Sequence, residues 1–232
     1  MKWLRAVGLV LLLAACSSEP PRPAPSVALS PSMVVNALTP SVRAFSTTSY
    51  RFKMTANEGV YSGGIDPVGD KLDSVIAVSS QGLSLKIETI GTGGAYFTRI
   101  SGSPLPGMDG STWYQVDTSR VHNPGSLGIS ANHDPTGILA LVAAIRTVSG
   151  SYTGTVDLSK VAHWGPVNPG RLGAVVPYSA STDSSGRLVS MKVDVPSDPV
   201  TAVYSDFGVA VPVVRPSSAE PMPDTLYGML NL

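Results

Sequence analysis

Apolar and polar residues alternate with period two along much of the middle of the chain. Phe52, Met54 and Ala56 alternate with Arg51, Lys53 and Thr55. Leu72, Ile76 and Val78 share one face, as do Leu83, Leu85 and Ile87 after the turn Ser80-Gln81-Gly82. Val189, Met191, Val193 and Val195 alternate with Ser190, Lys192 and Asp194. Successive side chains of a strand point to opposite faces, so this pattern predicts an antiparallel sheet with one face covered and the other wet. Gly63-Gly64, Gly93-Gly94 and Asp183-Ser184-Ser185-Gly186 are expected as the hairpin turns between strands.

Two stretches change to helical spacing. Val34, Leu38, Val42 and Phe45 form one apolar stripe interrupted by Pro40. Either the helix kinks there or a shorter one starts with Thr39 as N-cap and Pro40 at N1, and the second is favoured. Further on, Asp134 and Pro135 suit the cap and first position of a helix whose stripe is Ile138, Leu141, Val142 and Ile145. Leu139, Ala140, Ala143 and Ala144 make it apolar nearly all round, as a helix lying against a sheet requires. The proline-punctuated end of the chain, 216–232, has Asp224 placed to cap a last turn that packs Leu226 and Leu230 on the domain.

The N-terminus has a different character. Lys2 and Arg5 precede an apolar run, Ala6 to Ala15, and the only cysteine, Cys16, follows directly. A basic start, a short apolar run and small residues before the break form an export signal. Ten such residues are too few to cross a hydrocarbon core about 30 Å thick. Residues 17–31 then hold Pro20, Pro21, Pro23, Pro25 and Pro31 among serines and alanines, an extended tether reaching up to about 45 Å. The expected organisation is a signal at 1–15, Cys16 and tether at 16–31, one domain over 32–216 and a tail at 217–232. A domain of about 190 residues buries roughly 70% of its unfolded surface, so it needs no staple.

Charge and chemistry narrow the function by exclusion. Losing Lys2 and Arg5 takes the 16 basic residues to fourteen against 16 acidic ones, with no basic run, so nucleic acid is not expected as a partner. No thiol remains for a disulfide or zinc site, and the three histidines, His122, His133 and His163, are scattered through loops, so neither a metal nor a cofactor is expected. Gly125-Ser126-Leu127-Gly128 lacks the spacing of a nucleophile elbow, and Gly91-Thr92-Gly93-Gly94 lacks the lysine of a phosphate loop. Asp183, Asp194 and Asp198 are expected to be solvated, and Trp113-Tyr114 to serve packing. An enzyme is therefore not expected.

The order of elements is similar to that of the actinobacterial LppX/LprA/LprF/LprG lipoproteins, within the LolA/LolB-like fold. The matching pieces are the Leu13-Ala14-Ala15-Cys16 lipobox, Gly63-Gly64-Ile65-Asp66, Trp113-Tyr114-Gln115-Val116-Asp117, Asp134-Pro135, Tyr152-Thr153-Gly154-Thr155-Val156-Asp157 and Tyr204-Ser205-Asp206-Phe207-Gly208. The resemblance implies an α+β fold: a strongly curved antiparallel β half-barrel with helices covering the concave face around an apolar cavity. It also implies acylation at Cys16, a monomer anchored on the outer face of the cell membrane, and a lipid or glycolipid ligand. The implied ligand-contact residues are Phe52, Met54, Leu72, Ile76, Val78, Leu83, Leu85, Ile87, Ile138, Leu141, Val142 and Ile145, for which core packing is an equal alternative. A lipid carrier and a non-catalytic module that holds a protein partner are the two readings to separate. A hollow interior favours the first; a filled interior with an exposed apolar patch favours the second.

Overall fold

The computed structural model describes residues 38–80, 82–103, 108–129, 134–149, 152–161, 163–165, 175–196 and 198–230. Cys16, the tether, Val34 and His133 lie outside them. The first six strands are β1 (Tyr50–Ala56), β2 (Gly59–Asp66), β3 (Lys71–Ser80), β4 (Leu83–Thr92), β5 (Ala95–Ser103) and β6 (Asp109–Val116). Then follow β7 (Ile145–Ser149), β8 (Thr153–Asp157), β9 (Val175–Thr182), β10 (Leu188–Val193), β11 (Val200–Ser205) and β12 (Glu220–Pro221). They form one sheet in the order β12-β6-β5-β4-β3-β2-β1-β11-β10-β9-β8-β7. Each pairing is antiparallel except the short parallel one between β12 and β6. The result is a large open sheet with few helices rather than a closed barrel.

Connectivity explains the order. β1 to β6 run outward as a meander; the chain then crosses to the opposite edge, and β7 to β11 return inward until β11 pairs with β1. Register fixes what each face carries. Met54 stands opposite Tyr61 and Ala202, Tyr61 opposite Ile76, Ile76 opposite Ile87, and Ile87 opposite Ile100. Facing residues point the same way, so these side chains make one apolar belt across six strands. All are buried. On the other face Arg51, Lys53, Lys86 and Arg99 meet water in part, and Glu88 pairs with both Lys86 and Arg99.

Gly93 and Gly94 do form a hairpin turn, both with positive φ, and the Asp183–Gly186 turn is closed by Asp183 accepting from the N–H groups of Ser185 and Arg187. Asp183 also pairs with Arg187, Asp194 with Lys192, and Asp198 accepts the Asn57 N–H, so these carboxylates bind protein groups as well as solvent. Gly63 and Gly64, expected at a turn, lie instead inside β2. They permit close approach: a Cβ on Gly63 would collide with the Asp73 carbonyl of β3, and one on Gly64 would press on the Val211 side chain at 3.2 Å. In β10 the alternation breaks, because a register shift between Leu188 and Ser190 puts Leu188 inside and leaves Val189 half-buried.

The helices differ from expectation in extent. Leu38 and Thr39 are already helical, so the helix runs through Pro40 and Thr39 is not its N-cap. Leu38, Val42 and Phe45 are buried as the stripe requires. The inner helix spans only Ile138–Ala143, and Ile145 opens β7. Ile145, Thr147 and Val148 are β-branched and find strand partners on β8, which overrides the helical spacing. Ala143 is exposed, so this helix is not apolar-buried all round.

Beyond β11 the chain turns at Asp206 and Gly208, both at positive φ, and crosses the outer face of the sheet. The Gly208 N–H donates to the Ser49 carbonyl, and the Ser49 hydroxyl donates to that of Val209. Val211 then packs over Gly64, and the Arg215 guanidinium sits 4.9 Å from the centre of the Phe97 ring. This strap ends as β12 on β6, followed by a helix at Asp224–Met229. Leu226 is buried and Leu230 packs against the core, as expected, while Asp224 pairs with Arg120 instead of capping.

Candidate functional site

A partly open, mostly apolar cavity of about 160 Å³ lies at the end of the inner face where β1 turns into β2. The alternation of three strands builds it: Met54 and Ala56 from β1, Gly59 and Tyr61 from β2, and Ile76 and Val78 from β3, with Val200 of β11 closing the side. Thr55, Glu58 and Val60 form the rim, where Glu58 accepts from the Ser80 hydroxyl at 2.7 Å. Among the described residues of the lining, Glu58 is the only one with a charged side chain. Pockets for drug-sized ligands run to about 300–1,000 Å³, whereas one of about 150 Å³ takes a molecule the size of benzene. At about 160 Å³ the cavity has room for a group of roughly benzene size.

Met54, Ile76 and Val78 among the expected ligand contacts line this cavity. Phe52, Ile87, Ile138, Leu141, Val142 and Ile145 are buried in the packed interior instead, and buried Leu72 lines a separate small pocket with Gly91, Tyr96 and Pro135. Leu85 is half-buried, and Leu83, at the tip of the β3–β4 hairpin, is 38% exposed. Loops fill the sheet interior alongside the helix: Leu127, Ile129 and Trp164 are buried as Ile138, Leu141 and Val142 are. Gly165 sits so close to Met54 and Tyr61 that a Cβ would lie 2.9 Å from the Met54 sulfur, and its neighbour Trp164 is wholly buried. Phe45 meets Tyr50 and Tyr204 edge-on at 4.7 and 4.6 Å between ring centres.

Two polar clusters interrupt this apolar interior. In the first, buried Asp134 accepts the N–H groups of Ile138 at 3.1 Å and Leu139 at 2.9 Å and the Thr136 hydroxyl at 3.0 Å. Gly137, in the left-handed region, stands between cap and helix, which is why the helix starts later than Pro135. Burial pushes the Asp134 carboxyl above its ordinary range, against the pull of those donors. In the second, the inward residues Ser74, Thr89 and Thr98 face one another across β3, β4 and β5. Thr89 donates to the Leu127 carbonyl at 2.7 Å and Tyr61 to the Gly128 carbonyl at 3.1 Å. A search for apolar inward positions misses these hydroxyls. Their signal was a polar residue in an inward slot, as in Leu72-Asp73-Ser74-Val75-Ile76.

His122 is exposed, and His163 is hydrogen-bonded through Nε2 to the Asp134 carbonyl at 3.1 Å. Tyr114 packs on the core, while Trp113 faces outward with the Arg99 guanidinium 4.7 Å from its ring centre. No group of histidine, cysteine, aspartate and glutamate suited to a metal occurs among the described residues. Nor, among them, is any helix long and apolar enough to cross a membrane.

The fold is similar to one already seen in crystal structures. The crystal structure of LprF from Mycobacterium bovis matches with a TM-score of 0.54 at 17% identity, covering 82% of this chain and 100% of LprF. Mycobacterium tuberculosis lipoprotein LppX, also at 17% identity, covers 80% of this chain and 100% of its own with a TM-score of 0.39. No family model and no curated protein matches the sequence.

Proposed function

We propose that this chain is an exported, lipid-anchored envelope protein that binds an acyl lipid or glycolipid along the inner face of its sheet and carries it without catalysis. The single observation behind this reading is the apolar cavity bounded by Met54, Tyr61, Ile76, Val78 and Val200, open at the rim to an entering chain. The fold shared with LprF supports it. So does the sequence before the domain, where the signal and Cys16 suit acylation and attachment to the outer face of the cell membrane. Two or three acyl chains on Cys16 give stable anchoring, each buried methylene contributing about 0.8 kcal/mol. In this reading the sheet curves as a half-barrel, the inner helix and the 124–129 and 163–165 loops cover its concave side, and uptake of a whole chain enlarges the cavity at their expense. Native mass spectrometry of the full chain, purified in mild detergent, tests the proposal. Co-purified acyl lipid is expected; a protein that carries none and takes none from vesicles counts against it.

A second reading, a module that holds a protein partner, draws on the filling of the interior by Leu127, Ile138, Leu141 and Trp164. It requires an exposed apolar patch. Among the described residues the exposed large apolar ones are Val68, Leu83, Val175, Val203, Val209, Val214 and Met229; Val209 and Val214 share the strap, and the other five each sit on a different element.

A further inference from the structure

We infer that the hydroxyls of Tyr61, Ser74 and Thr89 form a carbonyl-binding subsite that takes an acyl ester, and that residues 124–129 occupy it until a ligand arrives. The inference rests on the lipid reading and adds to it a place for the polar part of the ligand.

The geometry begins with the row itself. Ser74 stands opposite Thr89, and Thr89 opposite Thr98, between the apolar belts of Ile76, Ile87 and Ile100 on one side and Leu72, Gly91 and Tyr96 on the other. Hydroxyls in such a position are costly unless they are bonded. Thr98 donates to the Glu88 carbonyl within the sheet at 3.2 Å. The others turn away from the sheet toward one peptide segment. Thr89 donates to the Leu127 carbonyl and Tyr61 to that of Gly128. The Ser74 hydroxyl, in a residue only 1% exposed, has no partner, although a Cβ on Gly128 would lie 3.0 Å from it and 2.9 Å from the Tyr61 hydroxyl. Two carbonyls thus occupy a site with three hydroxyls.

The subsite adjoins the cavity. The Tyr61 ring is a wall of the cavity while its hydroxyl belongs to the subsite, and Ile76 of the lining is two residues from Ser74 on the same face. Two residues of strand span about 7 Å, or roughly five carbons of an extended chain. A chain whose hydrocarbon fills the cavity therefore carries its carbonyl to these hydroxyls, exchanging one acceptor for another. An ether lacks the projecting carbonyl oxygen and offers only an oxygen within the chain, so it satisfies these donors less well once the segment is displaced.

The test uses the full chain in detergent, titrated with 1,2-dipalmitoylglycerol or with its dihexadecyl ether counterpart and read by native mass spectrometry. The ester is expected to bind about three- to tenfold better, since a net hydrogen bond contributes about 0.5–1.5 kcal/mol and 1.4 kcal/mol is tenfold. Ser74→Ala and Thr89→Val together should bring the ratio to within about twofold of unity, chiefly by raising ether binding, since they loosen the segment and remove the donors that an ether leaves unsatisfied. Should Thr89→Val fail to fold, Ser74→Ala alone, which breaks no existing bond, must still lower the ratio. Equal binding of both lipids by the unaltered protein overturns the subsite and spares the lipid reading; binding of neither overturns both.

Discussion

Asp134 Oδ2 accepts the backbone N–H of Leu139 at 2.9 Å, from a side chain that is itself buried. With the companion bond to Ile138, this cap ties the inner helix to the loop before it. Asp134→Asn keeps one acceptor oxygen and loses the other, and should lower stability by about 1–3 kcal/mol in denaturant unfolding. The pH dependence has a definite sign. Burial raises the folded-state carboxyl above its ordinary value near 4, so the folded protein holds this proton more tightly than the unfolded chain does. The associated stability is present below pH 4 and is lost as pH rises through the folded value. The advantage of the native protein over Asp134→Asn should therefore shrink from pH 4 toward neutrality; an advantage that grew would show that the hydrogen bonds outweigh burial.

Gly63 and Gly82 should respond very differently to a methyl group. At Gly63 the Cβ meets backbone of the neighbouring strand, so Gly63→Ala should cost more than about 3 kcal/mol or prevent folding. Gly82, with φ +85° and open space around it, carries only the left-handed penalty of about 1–2 kcal/mol. Parallel urea titrations of the two variants give the comparison.

Val78→Phe projects a ring into the cavity. Filling existing space should cost under about 1 kcal/mol, below the 1–3 kcal/mol of forcing a ring into a tight core. Co-purified lipid should fall at least tenfold. Unchanged lipid content with unchanged stability would move the binding site elsewhere.

Cys16→Ser should block acylation and move the protein out of the detergent-rich phase on phase partitioning. Identical partitioning of the two forms would refute the anchor.

The strands were legible because strict alternation has few other meanings: Phe52-Lys53-Met54 and Leu72 through Val78 read directly as one face in and one out. Gly63-Gly64 misled because a glycine pair marks a turn and a close backbone approach equally well. The inner helix was overextended because Leu141, Val142 and Ile145 satisfy helical spacing while Ile145 and Val148 equally satisfy a strand, and only pairing with β8 decides. The strap was illegible since its prolines resemble those of the tether and nothing local specifies Phe97 as the partner of Arg215. Three of the expected contact residues line the cavity, and the hydroxyl row is illegible in the sequence because a polar residue in an inward slot looks like one that faces water.

β1 finds one neighbour nearby in β2 and the other in β11, about 150 residues later, and β6 receives its last partner only from Glu220 and Pro221. A polypeptide emerging N-terminus first can thus fold six strands early, yet must wait for nearly its whole length to arrive before the centre of the sheet closes. Until then two strand margins stand bare, and that interval is when the molecule is most exposed to mispairing and to proteases.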